Sequence, residues 1–243
     1  MFVRMAVPDS PLRLLGLIGG TSWESTTHYY QLLNRLARER LGGKHSARLL
    51  LWSLDFAPIA ALQEEGDWEA LTDIMEDAAK RLEAAGAEAL LICANAMHMM
   101  ADDVAVEIKI PLIHIADVTA TALKLRSSHR PVLLGTRFTM EQPFYRERLM
   151  RHGIDPIVPG EADRVELHRI IFDELVQGKF LDSSRARLVE VVNRLKLRGA
   201  DGVILGCTEF GMLAPPETFD LPAIDTAEAH AEAAMDFALG GPG

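Results

Sequence analysis

The run Gly206-Cys207-Thr208-Glu209 places a thiol, a hydroxyl and a carboxylate on consecutive residues, directly after the apolar Val203-Ile204-Leu205. Where a buried strand gives way to a helix, a thiol meets free backbone amides. These lower its pKa from about 8.5 and suit it to carrying protons near neutrality. Cys207 is therefore the candidate acid/base. Glu209 reads as a second acid/base or as a solvated first-turn carboxylate. A free cysteine is often only a small core residue; the position at a strand's carboxyl end is what favours chemistry here.

A matching stretch lies 113 residues earlier. Gly86-Ala87-Glu88 corresponds to Gly199-Ala200-Asp201, and Arg81-Leu82 to Arg194-Leu195. In that register Cys207 pairs with Ala94, whereas the other cysteine, Cys93, pairs with Gly206. Side chains alternate across a strand, so Cys93 belongs on the face opposite to Ala94 and reads as structural, unless the strand end twists far enough to bring it round. Asn95 and Thr208 follow the two strand ends. They suit a substrate carboxylate among backbone amides, and they equally suit N-caps. Thr21, Ser22 and Thr139 take the same two readings. His98, one helical turn beyond Ala94, reads as a packing or capping residue rather than a base. Met97, Met99 and Met100 read as core filling, and Trp23 as a wall.

Strand ends must position these residues, and the chain supplies them twice. In the first half we expect strands at 12–18, 47–54, 89–93 and 111–115, with helices after Thr21, over 68–85, near Asn95 and from about 118. Residues 55–67 read as a loop with at most one helical turn. In the second half we expect strands at 131–134, 154–158, 203–206 and 221–224, and helices at 140–150, 162–177, 183–197 and 227–239. Gly19, Tyr29 and Leu33 match Gly135, Tyr145 and Leu149 at an offset of 116, and Pro111 matches Pro222. Alternating strands and helices mean an α/β fold with parallel sheets, and the repeat means two similar flavodoxin-like units. The expected division is 12–116, completed by a C-terminal helix over 225–240, and 117–224. Ligands of such sheets bind beyond the strands' carboxyl ends. Two facing units would gather Gly19-Gly20-Thr21, Ala94-Asn95, Thr136 to Thr139 and Cys207-Thr208 on one cleft.

With 243 residues, 49% hydrophobic and 25% charged, the chain can bury a sizeable core and remain soluble. A net charge of −10 argues against non-specific nucleic-acid or anionic-membrane binding. Two cysteines make no disulfide scaffold and fit a reducing cytoplasm. Residues 1–11 read as a disordered leader. We see no signal peptide, no apolar run of about 18 residues, and no metal-ligand spacing among the eight histidines.

The stretch Leu15-Gly16-Leu17-Ile18-Gly19-Gly20-Thr21-Ser22-Trp23-Glu24-Ser25-Thr26 resembles the opening of the aspartate/glutamate racemase family. The resemblance is strongest to its bacterial branch of aspartate/glutamate-specific and broad-specificity amino-acid racemases. Gly206-Cys207-Thr208-Glu209 resembles that family's second catalytic motif. His114-Ile115-Ala116-Asp117 and the run from Leu133 to Gln142 match as well. The resemblance covers nearly the whole chain from Leu12. It implies two α/β subunits around a cleft, no cofactor, a small amino acid or dicarboxylate as ligand, and a homodimer. It also implies proton exchange at the α-carbon by two residues, usually both cysteines, on opposite faces.

The family's first motif, Cys-Asn-Thr-x-His, falls on Ala94-Asn95-Ala96-Met97-His98. Its catalytic position is therefore Ala94 here, a place where the nearest branch can carry threonine. Ala96 stands where a hydroxyl contact to substrate is expected. Some relatives hold the substrate's side-chain carboxylate with an arginine from an early loop. Residues 55–66 contain no Arg or Lys, which leaves Arg164 as a candidate. Three functions follow: a one-sided or slow racemase of aspartate or glutamate, a single-thiol decarboxylase or isomerase similar to arylmalonate decarboxylase, and a non-catalytic dicarboxylate binder.

Overall fold

The structure is a computed structural model and describes residues 12–241. The expected leader, residues 1–11, lies outside the described residues. Strands β1 (Leu15–Gly19), β2 (Leu49–Ser53) and β3 (Ala89–Ile92) form one parallel sheet in the order β2-β1-β3. Strands β4 (Pro131–Gly135), β5 (Gly202–Gly206) and β6 (Ala223–Asp225) form a second, in the order β4-β5-β6. Single parallel bridges, Leu90 to Leu112 and Val132 to Ile157, add a fourth segment to each sheet. Both sheets therefore share one order, 2-1-3-4, as the duplicated flavodoxin-like reading requires.

The fourth strand expected at 111–115 and the strand expected at 154–158 shrink to these bridges. Pro111 and Pro159, each two residues from an amide that does donate to its neighbour strand, have no N–H to extend the ladder. Helix α5 (Ile115–Leu125) also begins earlier than the expected residue 118, because His114 Nδ1 accepts from Ala116 N at 3.1 Å and caps it. The helix expected over 140–150 is two: α6 (Arg137–Glu141) and α7 (Pro143–Arg151). Pro143 forces Gln142 into an extended conformation and breaks the run. The supposed loop at 55–67 is largely helix, α2 (Phe56–Glu65). Asp55 caps it, Gly66 closes it in the left-handed conformation, and Ile59 and Gln63 bury one face. Pro58 sits in its first turn, where no amide bond is lost.

The remaining helices are α1 (Trp23–Leu41), α3 (Trp68–Ala84), α4 (Ala101–Val106), α8 (Glu161–Asp173), α9 (Asp182–Lys196), α10 (Thr208–Leu213) and α11 (Thr226–Ala238). On the first sheet, Ile18, Leu90 and Ile92 pack under α3 and α4, against Leu71, Met75 and Val104. Leu17, Leu91 and Cys93 pack on the other side against Tyr29 and Leu33 of α1 and Ala231 and Ala234 of α11. On the second sheet, Val203, Leu205 and Cys207 pack under α8 and α9, while Leu133 and Ile204 meet α5 and α7. The helices at the two chain crossings are thus exchanged. Helix α5 follows the first sheet but covers the second, and α11 follows the second but covers the first.

At Gly20, φ is +86°, and a Cβ there would sit 2.1 Å from Leu54 O. Glycine is required for the turn that leads from β1 into the cleft.

Candidate active site

The carboxyl ends of β1, β3, β4 and β5 open onto one cleft between the sheets. Thr21, Ser22, Ala94, Asn95, Ala96, Thr136, Thr139, Cys207, Thr208 and Glu209 all line it. Thr136 also caps α6, its Oγ1 accepting from Thr139 N at 3.3 Å. Asn95 and Thr208 cap nothing with their side chains, which leaves both for other work.

Glu209 is the hub. Its side chain is buried rather than solvated, with the residue only 3% exposed. Ser22 Oγ donates to Oε1 at 2.6 Å, and Cys207 Sγ donates to Oε2 at 2.9 Å. Thr208 Oγ1 lies 2.8 Å from that same oxygen and 2.8 Å from Ser25 Oγ; its one hydrogen serves one of them at a time. Ser25 Oγ in turn donates to Cys93 O at 2.8 Å, so the network ties the two units together. Ser22 has φ +155°, a conformation that residues with a Cβ rarely adopt. Such backbone strain costs on the order of 1–3 kcal/mol and collects where geometry is functional. Here it aims Oγ at Glu209 while the same oxygen caps α1 through Ser25 N at 3.2 Å.

The expectation of a lowered Cys207 pKa is corrected. The amides of Glu209 and Phe210 do favour the thiolate, but burial and the neighbouring Glu209 carboxylate outweigh them and push the thiol well up. The site holds a thiol that already points its hydrogen at a carboxylate. Cys93 is 1% exposed, lies among the core residues of α1 and α11, and does not line the cleft. Burial alone pushes its thiol far above the ordinary range. Ala94 shares its strand face with Leu90 and Ile92 and does line the cleft.

Asn95 carries a buried, unpaired acceptor. Its Nδ2 donates to Thr226 Oγ1 at 3.0 Å, and Thr226 donates onward to Leu205 O at 2.8 Å. That chain fixes the amide's orientation and leaves Oδ1 a buried acceptor with no partner. Such an orphan costs about 1–3 kcal/mol unless a donor arrives. His98 holds the wall behind it. Nδ1 lies 2.9 Å from Ala94 O, and Nε2 accepts from Ile115 N at 3.2 Å. Both bonds together require the neutral ring with its hydrogen on Nδ1. Burial first, then the facing His114 and His230, keep its pKa well below 6.5.

Arg164 does not line the cleft. Its Nε donates to Glu141 at 2.9 Å and its Nη1 to Pro159 O at 2.8 Å, which turns it to the outer side of α6. Sequence reasoning missed Ser25, Phe56, Gln63, Phe138, Ile171, Phe172 and Val176, which also line the cleft. Ser25 was legible as the residue three beyond the cap Ser22, and Phe138 as the neighbour of Thr136 and Thr139. The α2 residues were hidden with their helix. No lysine lines the cleft to carry a carbonyl cofactor as an imine, and among the described residues no group of His, Cys, Asp and Glu is arranged to hold a metal.

A candidate Asp/Glu racemase from Yersinia pestis is 44% identical, over 94% of this chain and 100% of its own, with a TM-score of 0.87. An aspartate racemase homologue from Pyrococcus horikoshii is 33% identical, over 93% of this chain and 99% of its own, with a TM-score of 0.82. Unliganded arylmalonate decarboxylase shares the fold at 13% identity, covering 95% and 94% of the two chains with a TM-score of 0.54. The model of the Asp/Glu/hydantoin racemase family matches residues 18–234. With its repeated sheets, its shared cleft and that match across most of its length, the chain belongs to the Asp/Glu/hydantoin racemase family.

Proposed function

We propose that this protein moves a proton on and off the α-carbon of a small amino acid without a cofactor, with Cys207 as its one acid/base. The observation that supports this most is the Cys207–Glu209 contact of 2.9 Å in a cleft whose equivalent position on the other unit is the methyl of Ala94. Transfer of the thiol hydrogen to Glu209 gives a thiolate, the form that takes a proton from carbon. The α-ammonium of a substrate offers Asn95 Oδ1 the donor it lacks and balances the charge in the cleft. The substrate carboxylate goes to the hydroxyls and amides around Thr21, Thr136, Thr139 and Thr208. The thiolate then removes the α-proton and returns one to the same face. A methyl group can do neither from the other face.

Loss of a positioned acid/base costs about 10²–10⁴ in rate, so exchange on one enantiomer outruns inversion. The family makes aspartate and glutamate the first substrates to assay. The decarboxylase reading keeps one point in its favour, a small residue opposite a single thiol. It asks a cleft with a carboxylate and, among the described residues, no lining Lys or Arg to accept a dianion, and it leaves Asn95 Oδ1 unpaired. A homodimer and a reducing cytoplasm belong to the same proposal.

The test is α-proton exchange into D2O followed by proton NMR, beside chiral chromatography, with no pyridoxal phosphate added. Cys207-dependent exchange on one enantiomer is expected. Exchange that needs added pyridoxal phosphate, or that survives Cys207→Ser, refutes the proposal.

A further inference from the structure

The polar lining of the cleft comes from strand ends. The rest comes from the helices that cover them, and it is apolar: Phe56 of α2, Met97, Phe138 of α6, Ile171 and Phe172 of α8, and Val176. Both units contribute to this end. Phe56 stacks on Phe172 with ring centroids 6.4 Å apart and planes 25° apart. Phe138 meets Trp68 edge-on at 5.5 Å. One neutral amide, Gln63, interrupts the surface, and its Nε2 is turned to Met97 Sδ at 3.3 Å. Among the described residues no lysine or arginine lines the cleft. The cations nearest in sequence are engaged elsewhere: Arg137 with Glu141, and Arg169 with Glu166 and Glu174.

We infer that this end of the cleft receives a neutral apolar side chain, so that the preferred substrate is an amino acid of the phenylalanine, methionine or leucine type rather than an acidic one. The inference rests on the amino-acid reading above and names its side-chain class. A second carboxylate laid against three phenylalanine rings would lose its water and find only the neutral amide of Gln63 in exchange, and a charge without a cationic partner there is costly. An apolar side chain loses only water that the wall binds weakly, and gains stacking surface. Glu209 sharpens the choice, because it already places the one acidic group of the lining in the same cleft.

The experiment measures α-proton exchange in D2O by the wild-type protein on both enantiomers of phenylalanine, methionine, leucine, aspartate and glutamate. At least one apolar amino acid should exceed both acidic ones by about 100-fold in kcat/KM. Phe172→Ala, at a partly exposed position on α8, should raise KM for that substrate about tenfold with kcat nearly unchanged. A melting curve checks that the variant is folded. If aspartate or glutamate exchanges as fast as every apolar amino acid, the side-chain inference is overturned while the proton-exchange reading stands. An unchanged KM in folded Phe172→Ala overturns it as well. If no amino acid shows Cys207-dependent exchange, both readings fall together.

Discussion

Ala94 and Cys207 occupy equivalent strand ends, and each unit carries one cysteine within a residue of that end. The outcomes differ completely. Cys207 faces the cleft and gives its hydrogen to Glu209, whereas Cys93, one position short of the equivalent place, is sealed among Leu17, Leu91 and Ala231. The backbone is the same on both sides: a parallel strand flanked by a second strand and followed by a short helical turn. A displacement of one residue along a strand therefore decides whether a thiol is a reagent or a filler. What Cys207 adds beyond position is its company. Thr208 and Glu209 are matched beside Ala94 by Asn95 and Ala96, and Ser22 is matched by Phe138, so no carboxylate stands there to receive a proton.

The sharpest way to break this comparison is to exchange the chemistry. Cys207→Ser should cut α-proton exchange by about 10²–10⁴, with an unchanged melting temperature. Normal exchange in that variant would remove the assigned acid/base. The converse variant, Ala94→Cys, puts a second thiol on the vacant face. It should raise the ratio of racemisation to exchange by up to about 10², read by chiral chromatography against NMR exchange. No rise would mean that the Ala94 face does not reach the α-carbon.

The equivalent caps behind the cleft differ in the same instructive way. His114 caps α5 and Asp225 caps α11, at matching places in the repeat. Burial, with Arg148 second, holds His114 down to about 4, while burial pushes Asp225 up to about 7. His98 and His230 are likewise lowered by burial, His230 to about 4. The histidines stabilise the fold above pH 6.5, and that contribution disappears as pH falls toward 4. Asp225 has the opposite sign. Its contribution is present near pH 4 and is lost as pH rises through 7. With three histidines against one aspartate, the melting temperature should fall on acidification from pH 6.5 to 4. Asp225→Asn should make that fall steeper by on the order of 5 °C, and His114→Asn should flatten it. Parallel curves for wild type and both variants would show that neither cap titrates in this range.

The smallest expected effect is that of Cys93→Ala. It should leave exchange within twofold of wild type and cost about 1 kcal/mol in urea unfolding, the price of a small core void. A loss of exchange as large as that of Cys207→Ser would make Cys93 a second base.

Much of this was legible because the strands that hold the site are short, continuous apolar runs ending in Gly, Asn or Thr, and because the repeat fixes the register of Ala94 against Cys207. Asn95, Thr208 and Glu209 followed from that register, and Thr21, Ser22, Thr136 and Thr139 from the other strand ends. What was not legible depended on space rather than spacing. Pro58 masked α2 and with it Phe56 and Gln63. Prolines at 111 and 159 reduced two expected strands to single bridges. The balance between amides and burial at Cys207 turns on how deep the thiol lies, which no local pattern encodes. Arg164 looked available because its partner Glu141 lies 23 residues away in sequence.

The exchanged helices bear on symmetry. A single unit ending at residue 125 would keep α1 over Leu17 and Leu91 but would lose α11, which supplies the rest of that cover. Two identical copies trading their last helix would build the same body around a two-fold axis, and such a pair must carry the same residue at both strand ends. A methyl on one wall and a thiol on the other cannot arise in that arrangement. With both units joined in one polypeptide the two strand ends are free to differ, so handedness at the α-carbon is a property that the covalent link between the halves makes available to a single chain.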